Sequence, residues 1–362
     1  MTIILKIVVF VLGLLLVWLV VASAVKTFVM PRAASDPIVR PWFRLLRRLF
    51  TLRLRWVDTY EARDRIMAFY APIALISLLP IWLTLVTAGF MAMFWATGIA
   101  SGFEDFVISG SSLLTLGFAR GQTMTHDILA FIEATIGLLL VALLIAYLPT
   151  MYGAFSRREV AVSQLAVRAG TPPSAVEFIL RAHRIGALIN LRDFWFQWET
   201  WFSEIEESHT SLAVLVFFRS PQPQQSWITA AGAVLDAASL ILAVVDVPNQ
   251  PQAALCIRSG YLALQRIADS FALSYLATPL FPATPIHITR EEFDDTCAQL
   301  EEQGVPLKAD RDQAWLDFAG WRVNYDKVLL DLCLLTMAPL APWSSDRSSL
   351  ERLPPLFAKP RR

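Results

Sequence analysis

Charge, histidine and cysteine are all scarce in this chain, and each scarcity narrows what it can be. Only 17 % of its 362 residues are charged, with Lys plus Arg and Asp plus Glu balanced at 31 each. A net charge of zero leaves no electrostatic footprint for a polyanion, so nucleic acid is not an expected partner. Cys256, Cys297 and Cys333 lie far apart with no Cys-x-x-Cys spacing, which excludes a thiolate zinc site and offers no disulfide framework. Free thiols in a reducing compartment are expected. Among four histidines, Glu206-x-x-His209 has the spacing of carboxylate-bridged di-iron helices, but those need a second Glu-x-x-His, which is absent. A solvated acidic patch is expected there, with a membrane-anchored metalloprotein as the weaker alternative. No Gly-x-Gly-x-x-Gly, Gly-x-Ser-x-Gly or Walker loop occurs and no internal repeat, so a dinucleotide-type regulatory domain is not indicated and enzyme chemistry has no positive support.

What the chain has instead is apolar length. Hydrophobic residues make up 56 % and mean hydropathy is +0.51, as in a membrane protein with a soluble part attached. From Ile7 to Val25 there is no charge, enough at helical rise to cross a hydrocarbon core of about 30 Å. A cleavable signal peptide competes with that reading, because Lys6 precedes the run and Ala22-Ser23-Ala24 resembles a cleavage site, although the run is longer than such segments usually are. Met67 to Ala100, with Pro72 and Pro80, and Ile128 to Tyr152, with Pro149, can also span. Kinks are expected at the prolines, which membrane helices tolerate.

Ten basic residues from Lys26 to Arg65 face four acids in the first loop, which makes that loop cytoplasmic. The amino terminus and the second loop are then outside and the carboxyl-terminal part inside, in a cell membrane. Within the basic linker (31–65), Trp42, Phe43, Leu45, Leu46, Phe50 and Leu52 interleave with arginines. Either an amphipathic helix lying on anionic inner headgroups or an ordinary positive-inside linker fits.

Residues 101–125 are too polar to cross the bilayer and too apolar for a solvated loop, which suggests a re-entrant hairpin lining a water-filled path. Within them Ser112-Leu113-Leu114-Thr115-Leu116-Gly117-Phe118 resembles the pore-loop signature of two-transmembrane potassium channels, Thr-Val-Gly-Tyr/Phe-Gly-Asp. The position between two spans, on the outer side, after a short stretch (about 103 to 113) able to form a pore helix, fits that resemblance. It implies that Thr115, Leu116, Gly117, Phe118 and Ala119 carry carbonyl rings for a dehydrated monovalent cation, potassium by the family, with four chains replacing its water shell. The aromatic Phe118 would pack sideways against the pore helix. Two residues depart from the family. Ala119 stands at the second glycine and takes left-handed dihedrals only at about 1–2 kcal/mol, which implies a distorted outermost ring. Arg120 stands at the aspartate and would place four positive charges at the outer mouth unless paired with Glu104 or Asp105.

In the third span Glu133 is an ionisable group inside a membrane helix, so it faces the pore or braces the pore helix. Glu133-x-x-x-Gly137 resembles the inner helix of bacterial inward-rectifier-type channels, where the glycine bends; a glutamate near the outer interface and a glycine at a packing contact are the bland alternatives. Tyr147 to Tyr152, with Pro149, is a candidate inner constriction. The resemblance covers about 67–152 and implies a homotetramer, with the first span packed at its periphery and no cofactor beyond the permeant ion.

After about Phe155 helical spacing dominates. Helices are predicted at 158–169, 173–188, 191–216, 226–246, 251–277, 289–303 and 311–338, with Thr171-Pro172-Pro173 starting one and Thr289-Arg-Glu-Glu292 a capping box. Trp227 to Val245 could be a fourth span, but Asp236 at its middle favours a buried core helix. Six aromatics in 194–202 predict a core or subunit face rather than a ligand cage. The expectation is an all-α membrane protein: an amino-terminal span (1–30), the basic linker, a two-helix plus re-entrant pore-loop unit (66–155), and a helical cytoplasmic domain (156–362) that regulates or assembles it. A non-conducting receptor or scaffold on the same framework is the rival, with Ala119 and Arg120 as its support.

Overall fold

A computed structural model describes residues 3–30, 36–98 and 102–347. Among these residues the protein is helical, with one isolated bridge between Val245 and Leu307 and no strand. Three helical stretches, Ile3–Phe28, Tyr60–Thr97 and Met124–Ala169, are long and apolar enough to cross a membrane. The described residues divide into two compact units, one lying within 3–55 and 69–153 and the other within 56–68 and 154–347.

In the first unit α1 (Ile3–Phe28) lies along a later helix of the second stretch. That stretch is cut into α3 (Tyr60–Ala68), α4 (Tyr70–Ile76) and α5 (Leu78–Thr97). The cuts at Phe69 and Ser77 fall three residues before Pro72 and Pro80, whose missing amides leave the carbonyls of Ala68 and Ile76 without helical partners. Where α1 crosses α5, Gly13 and Gly89 meet so closely that a Cβ on Gly13 would lie 2.5 Å from the Gly89 carbonyl oxygen, the small-residue contact typical of membrane helices. Ser23 adds polar anchorage: its hydroxyl donates to Asp36 Oδ1 at 3.0 Å and accepts from Trp82 Nε1 at 3.2 Å. Helix α1 thus packs on α5.

The helix α2 (Val39–Leu54) begins where Asp36 Oδ1 accepts the amides of Ile38 and Val39, each at 2.8 Å. It buries Phe43, Leu46 and Leu54, the first of these edge-on to the buried Tyr70. Trp42 Nε1 donates to Ser77 Oγ at 2.8 Å. The opposite side exposes Leu45, Leu49 and Leu52 between Arg44, Arg48 and Arg53, so the helix is amphipathic with a second apolar stripe. Residues 36–55 belong to the first unit and 56–65 to the second. Arg219 holds the latter segment by bonding Tyr60 Oη at 3.3 Å, an ion pair to Asp64, and the carbonyl of Thr336 at 2.9 Å.

The second unit is built on α10 (Trp227–Ala243), buried along its length except at Leu242. It packs against α8 (Ala175–Arg184), α11 (Pro251–Ser270), α13 (Arg311–Arg322) and α14 (Asp326–Thr336). Its Asp236 is paired with Arg322 at 2.5 Å and accepts from Tyr325 Oη at 2.9 Å. Seventeen residues long and clasped in this way, α10 is a core helix. In α9 (Arg192–Ser211), Trp195, Trp198, Trp201 and Phe202 are buried, and the helix packs along α11. Glu206 and His209 on α9 turn to different partners, Arg266 and Arg158, and no metal-holding group of three occurs among the described residues.

Several predicted boundaries shift. The predicted helix at 158–169 is the end of α7 (Met124–Ala169), which continues through Pro149 without a break. Ser174, not Thr171, caps α8, its side chain accepting from the Glu177 amide. The predicted helices 191–216 and 251–277 end at Ser211 and Ser270. The predicted 311–338 is two helices: at the break the main chain tightens, the amides of Asn324 and Tyr325 donating to Trp321 and Arg322 at 3.3 and 3.1 Å, and the Asn324 side-chain amide donates to the carbonyls of Gly320 and Trp321 at 2.9 and 3.1 Å. The capping box opens α12 (Arg290–Glu302) as read.

Candidate functional site

The segment between the second and third apolar stretches forms α6 (Gly102–Leu113), followed by an irregular run to Thr123. Glu104 and Asp105 occupy the first turn of α6, where the helix dipole favours negative charge. Three neighbours seat it. It packs on α5, its Ser109 hydroxyl donates to Glu133 Oε1 on α7 at 2.5 Å, and its last turn rests on Gly137. A Cβ on Gly137 would fall 2.2 Å from the Leu113 carbonyl oxygen, so only glycine lets α7 approach the end of α6. Glu133 is fully buried, and it braces the short helix, one of the two roles read for it. Gly137 is a close-packing contact inside an unbroken helix.

Beyond Leu113 the main-chain amides fold back onto α6. The amide of Leu114 donates to the Gly110 carbonyl at 3.2 Å, that of Thr115 to Ser112 at 3.0 Å, and those of Leu116 and Gly117 to Ser111 at 2.8 and 3.3 Å. The amide of Ala119 donates to Ser111 Oγ at 3.0 Å. In a trans peptide the carbonyl opposes the amide hydrogen, so the carbonyls of Leu114, Thr115, Leu116 and Phe118 are directed away from α6. φ is positive at Thr115 (57°) and Gly117 (71°) and at neither Leu116 nor Phe118. A β-branched residue in that region is an outlier costing about 1–2 kcal/mol, and such strain clusters at functional sites.

Two sequence expectations change here. Ala119 does not adopt left-handed dihedrals; its amide is tied to Ser111 Oγ instead, and Thr115 bears the strained conformation. Phe118 does not pack sideways on α6: it is 69 % exposed, like Leu116 at 61 %. Arg120 is exposed and takes part in none of the ion pairs among the described residues, so it is not tied to Asp105. Asp105 is buried, with Oδ1 unpartnered among the described residues, as are both nitrogens of the buried His126. Phe103, Glu104, Val107, Ala119, Arg120 and Gln122 border an open pocket of about 260 Å³ beside the loop.

On α7, Tyr147 and Met151 are buried, Tyr147 against Phe28, whereas Pro149 and Tyr152 are exposed. Of the candidate constriction, Pro149, Thr150 and Tyr152 are exposed. Ser109 and Ser111 are the residues that sequence reading passed over. Their signal is polarity without charge on a short apolar helix, spaced to reach α7 on one side and the loop on the other. No family model, no curated protein and no solved structure matches the chain.

Proposed function

We propose that the protein is a homotetrameric cation channel of the cell membrane, potassium the expected ion, with α6 as pore helix and 115–119 as the ion-binding segment. The single observation that carries this reading is the row of carbonyls of Leu114, Thr115, Leu116 and Phe118 turned away from α6 by amides bonded to it. One chain supplies one side of a ring, and four copies about an axis would replace a cation's water shell. The α6 C-terminus, with its partial negative charge, ends beside this row and favours a cation there.

The same arrangement supports the membrane topology. Residues 56–68 and 154–347 fold into one unit, so the chain between them must leave and return on one side of the bilayer. Two spans, with α6 and its loop re-entrant between them, satisfy that requirement. The arginine-rich 39–55 assigns this side to the cytoplasm. The exposed leucines and arginines of α2 then lie against anionic inner headgroups, and the second unit is a cytoplasmic regulatory or assembly domain.

A second reading, a non-conducting receptor or scaffold on the same framework, is favoured by the exposed Arg120, which takes part in none of the ion pairs among the described residues. Ion flux through purified protein in liposomes, under potassium and then sodium gradients, separates the two. Conduction predicts flux in the native chain that falls at least tenfold with Gly117→Ala, since φ of 71° is strained for alanine. A silent native chain alongside a conducting Arg120→Asp variant would favour the scaffold.

A further inference from the structure

Helices α6 and α7 run side by side in the same direction and in step. Leu113 rests on Gly137, and four residues earlier on each helix Ser109 meets Glu133. Four residues earlier again stand Asp105 and Leu129, with His126 one turn before Leu129 on the same face of α7, since residues three or four apart share a face. Leu113, Ser109 and Asp105 of α6 are all buried, as are Glu133, Leu129 and His126 of α7.

Two levels of this seam are closed, one by a backbone contact and one by a hydrogen bond. The third is not. Asp105 is 1 % exposed and His126 4 %, yet Asp105 Oδ1 and both ring nitrogens of His126 have no partner among the described residues. A buried polar atom left bare costs about 1–3 kcal/mol, and here three such atoms stand at the same end of the seam. The ring is covered on other sides: Phe94 of α5 meets it edge-on, with centroids 6.2 Å apart, and a Cβ on Gly121 would fall 2.1 Å from His126 Cβ. Gly121 is therefore the point at which the loop after Ala119 presses against α7. Among the nearby charges, Glu104 precedes Asp105 on α6, Asp127 follows His126 on α7, and Arg120 lies on the loop; Glu104 and Arg120 are exposed and Asp127 is half-buried. Helix α5 carries no charge, and Lys6 of α1 reaches the end of α5 beside Gly98.

We infer that His126 and Asp105 form a proton-operated latch for the loop that follows α6. Imidazole is the side chain that ordinarily changes charge between pH 5 and 8. A proton taken from solvent by a ring nitrogen turns the bare imidazole and carboxylate into an ion pair across the seam, and no bond between heavier atoms changes. The pair fastens the start of α7, and with it Gly121, to the start of α6; loss of the proton frees the loop. As regulation of the ion-binding segment 115–119 the latch rests on the channel reading, whereas its effect on packing does not.

Hydrogen exchange of the amides of 116–121 in the purified full chain tests it, at pH 5.5 and pH 8 with correction for the intrinsic rate at each. Those of Leu116, Gly117 and Ala119 are bonded to Ser111, so they report how firmly the loop is held. Native protection is expected to be greater at pH 5.5 than at pH 8 by about fivefold or more. It should be equal at the two values in His126→Gln and in Asp105→Asn, which keep a polar group without its charge change. Equal native protection at both values, or a pH dependence that survives in either variant, would overturn the latch. Ion flux through the same preparation keeps the two readings apart. Flux alongside pH-independent protection removes the latch alone, while pH-dependent protection in a chain silent at both values keeps the latch and counts against conduction.

Discussion

Gly137 and Gly110 separate packing from flexibility at the level of single atoms. A methyl group on Gly137 meets the Leu113 carbonyl oxygen at 2.2 Å, whereas one on Gly110 meets nothing within 4 Å. Gly137→Ala is therefore expected to lower the thermal stability of the solubilised protein by the equivalent of about 1–3 kcal/mol. Gly110→Ala should leave it unchanged or raise it by up to about 1 kcal/mol through helix propensity. Equal melting temperatures for the two variants would contradict the contact. His209 gives a second residue-scale expectation. Burial first, and then the Arg158 guanidinium beside it, hold its pKa well below the usual imidazole value. The unfolded chain thus takes up a proton that the folded one refuses, so stability is full above about pH 6.5 and declines as pH falls below it. At pH 5 the loss amounts to up to about 2 kcal/mol. Chemical denaturation followed by tryptophan fluorescence at pH 7 and pH 5 should show it, and His209→Gln should shrink the difference. That Glu133 faces either a partner or water was legible, because a charge-capable group in an apolar stretch cannot be left bare. The partner was not: Ser109 differs little in sequence from Ser111 or Ser112, and only the three-dimensional register of α6 on α7 distinguishes them. The strain at Thr115 was equally invisible, since attention falls naturally on the missing glycine at Ala119.

Helix α10 shows how one charge sets the fate of an element. Its composition suits a membrane span, yet Asp236 is joined to Arg322, and Arg322 also to Asp326 at 2.8 Å. Removing the guanidinium strands two buried carboxylates, at a cost of about 3–5 kcal/mol. Arg322→Met is expected to shift the urea midpoint of the second unit by that equivalent, while Arg290→Met, in exposed pairs with Asp294 and Asp312, should change it by less than about 1 kcal/mol. Similar midpoints would mean that the buried pair is not what holds α10. The interior charge of α10 and the prolines of the second stretch could be read in advance because each has one physical consequence. The break between α13 and α14 could not, since Asn324, whose amide turns back onto two carbonyls there, carries no breaker signature.

At the scale of the whole molecule, the consequential feature is a pairing distant in sequence: Asp64 and Tyr60 held by Arg219, in a unit otherwise made of residues after 153. No periodicity announces it, because each segment looks like ordinary helix or linker by itself. On the proposed membrane topology both segments share one side of the bilayer. An impermeant maleimide applied to intact cells should therefore label Gln122→Cys but neither Asp58→Cys nor Glu302→Cys, all three positions being exposed; labelling of Asp58→Cys alone would contradict the shared unit. The most direct measurement is the anomalous scattering of thallium, a potassium surrogate, in crystals of the assembled protein. Density on a fourfold axis, level with the carbonyls of Thr115 and Leu116, is the result expected of a conducting filter. A fourfold assembly whose axis is empty at that level and filled by Arg120 or Phe118 side chains, or an assembly without such an axis, would contradict it.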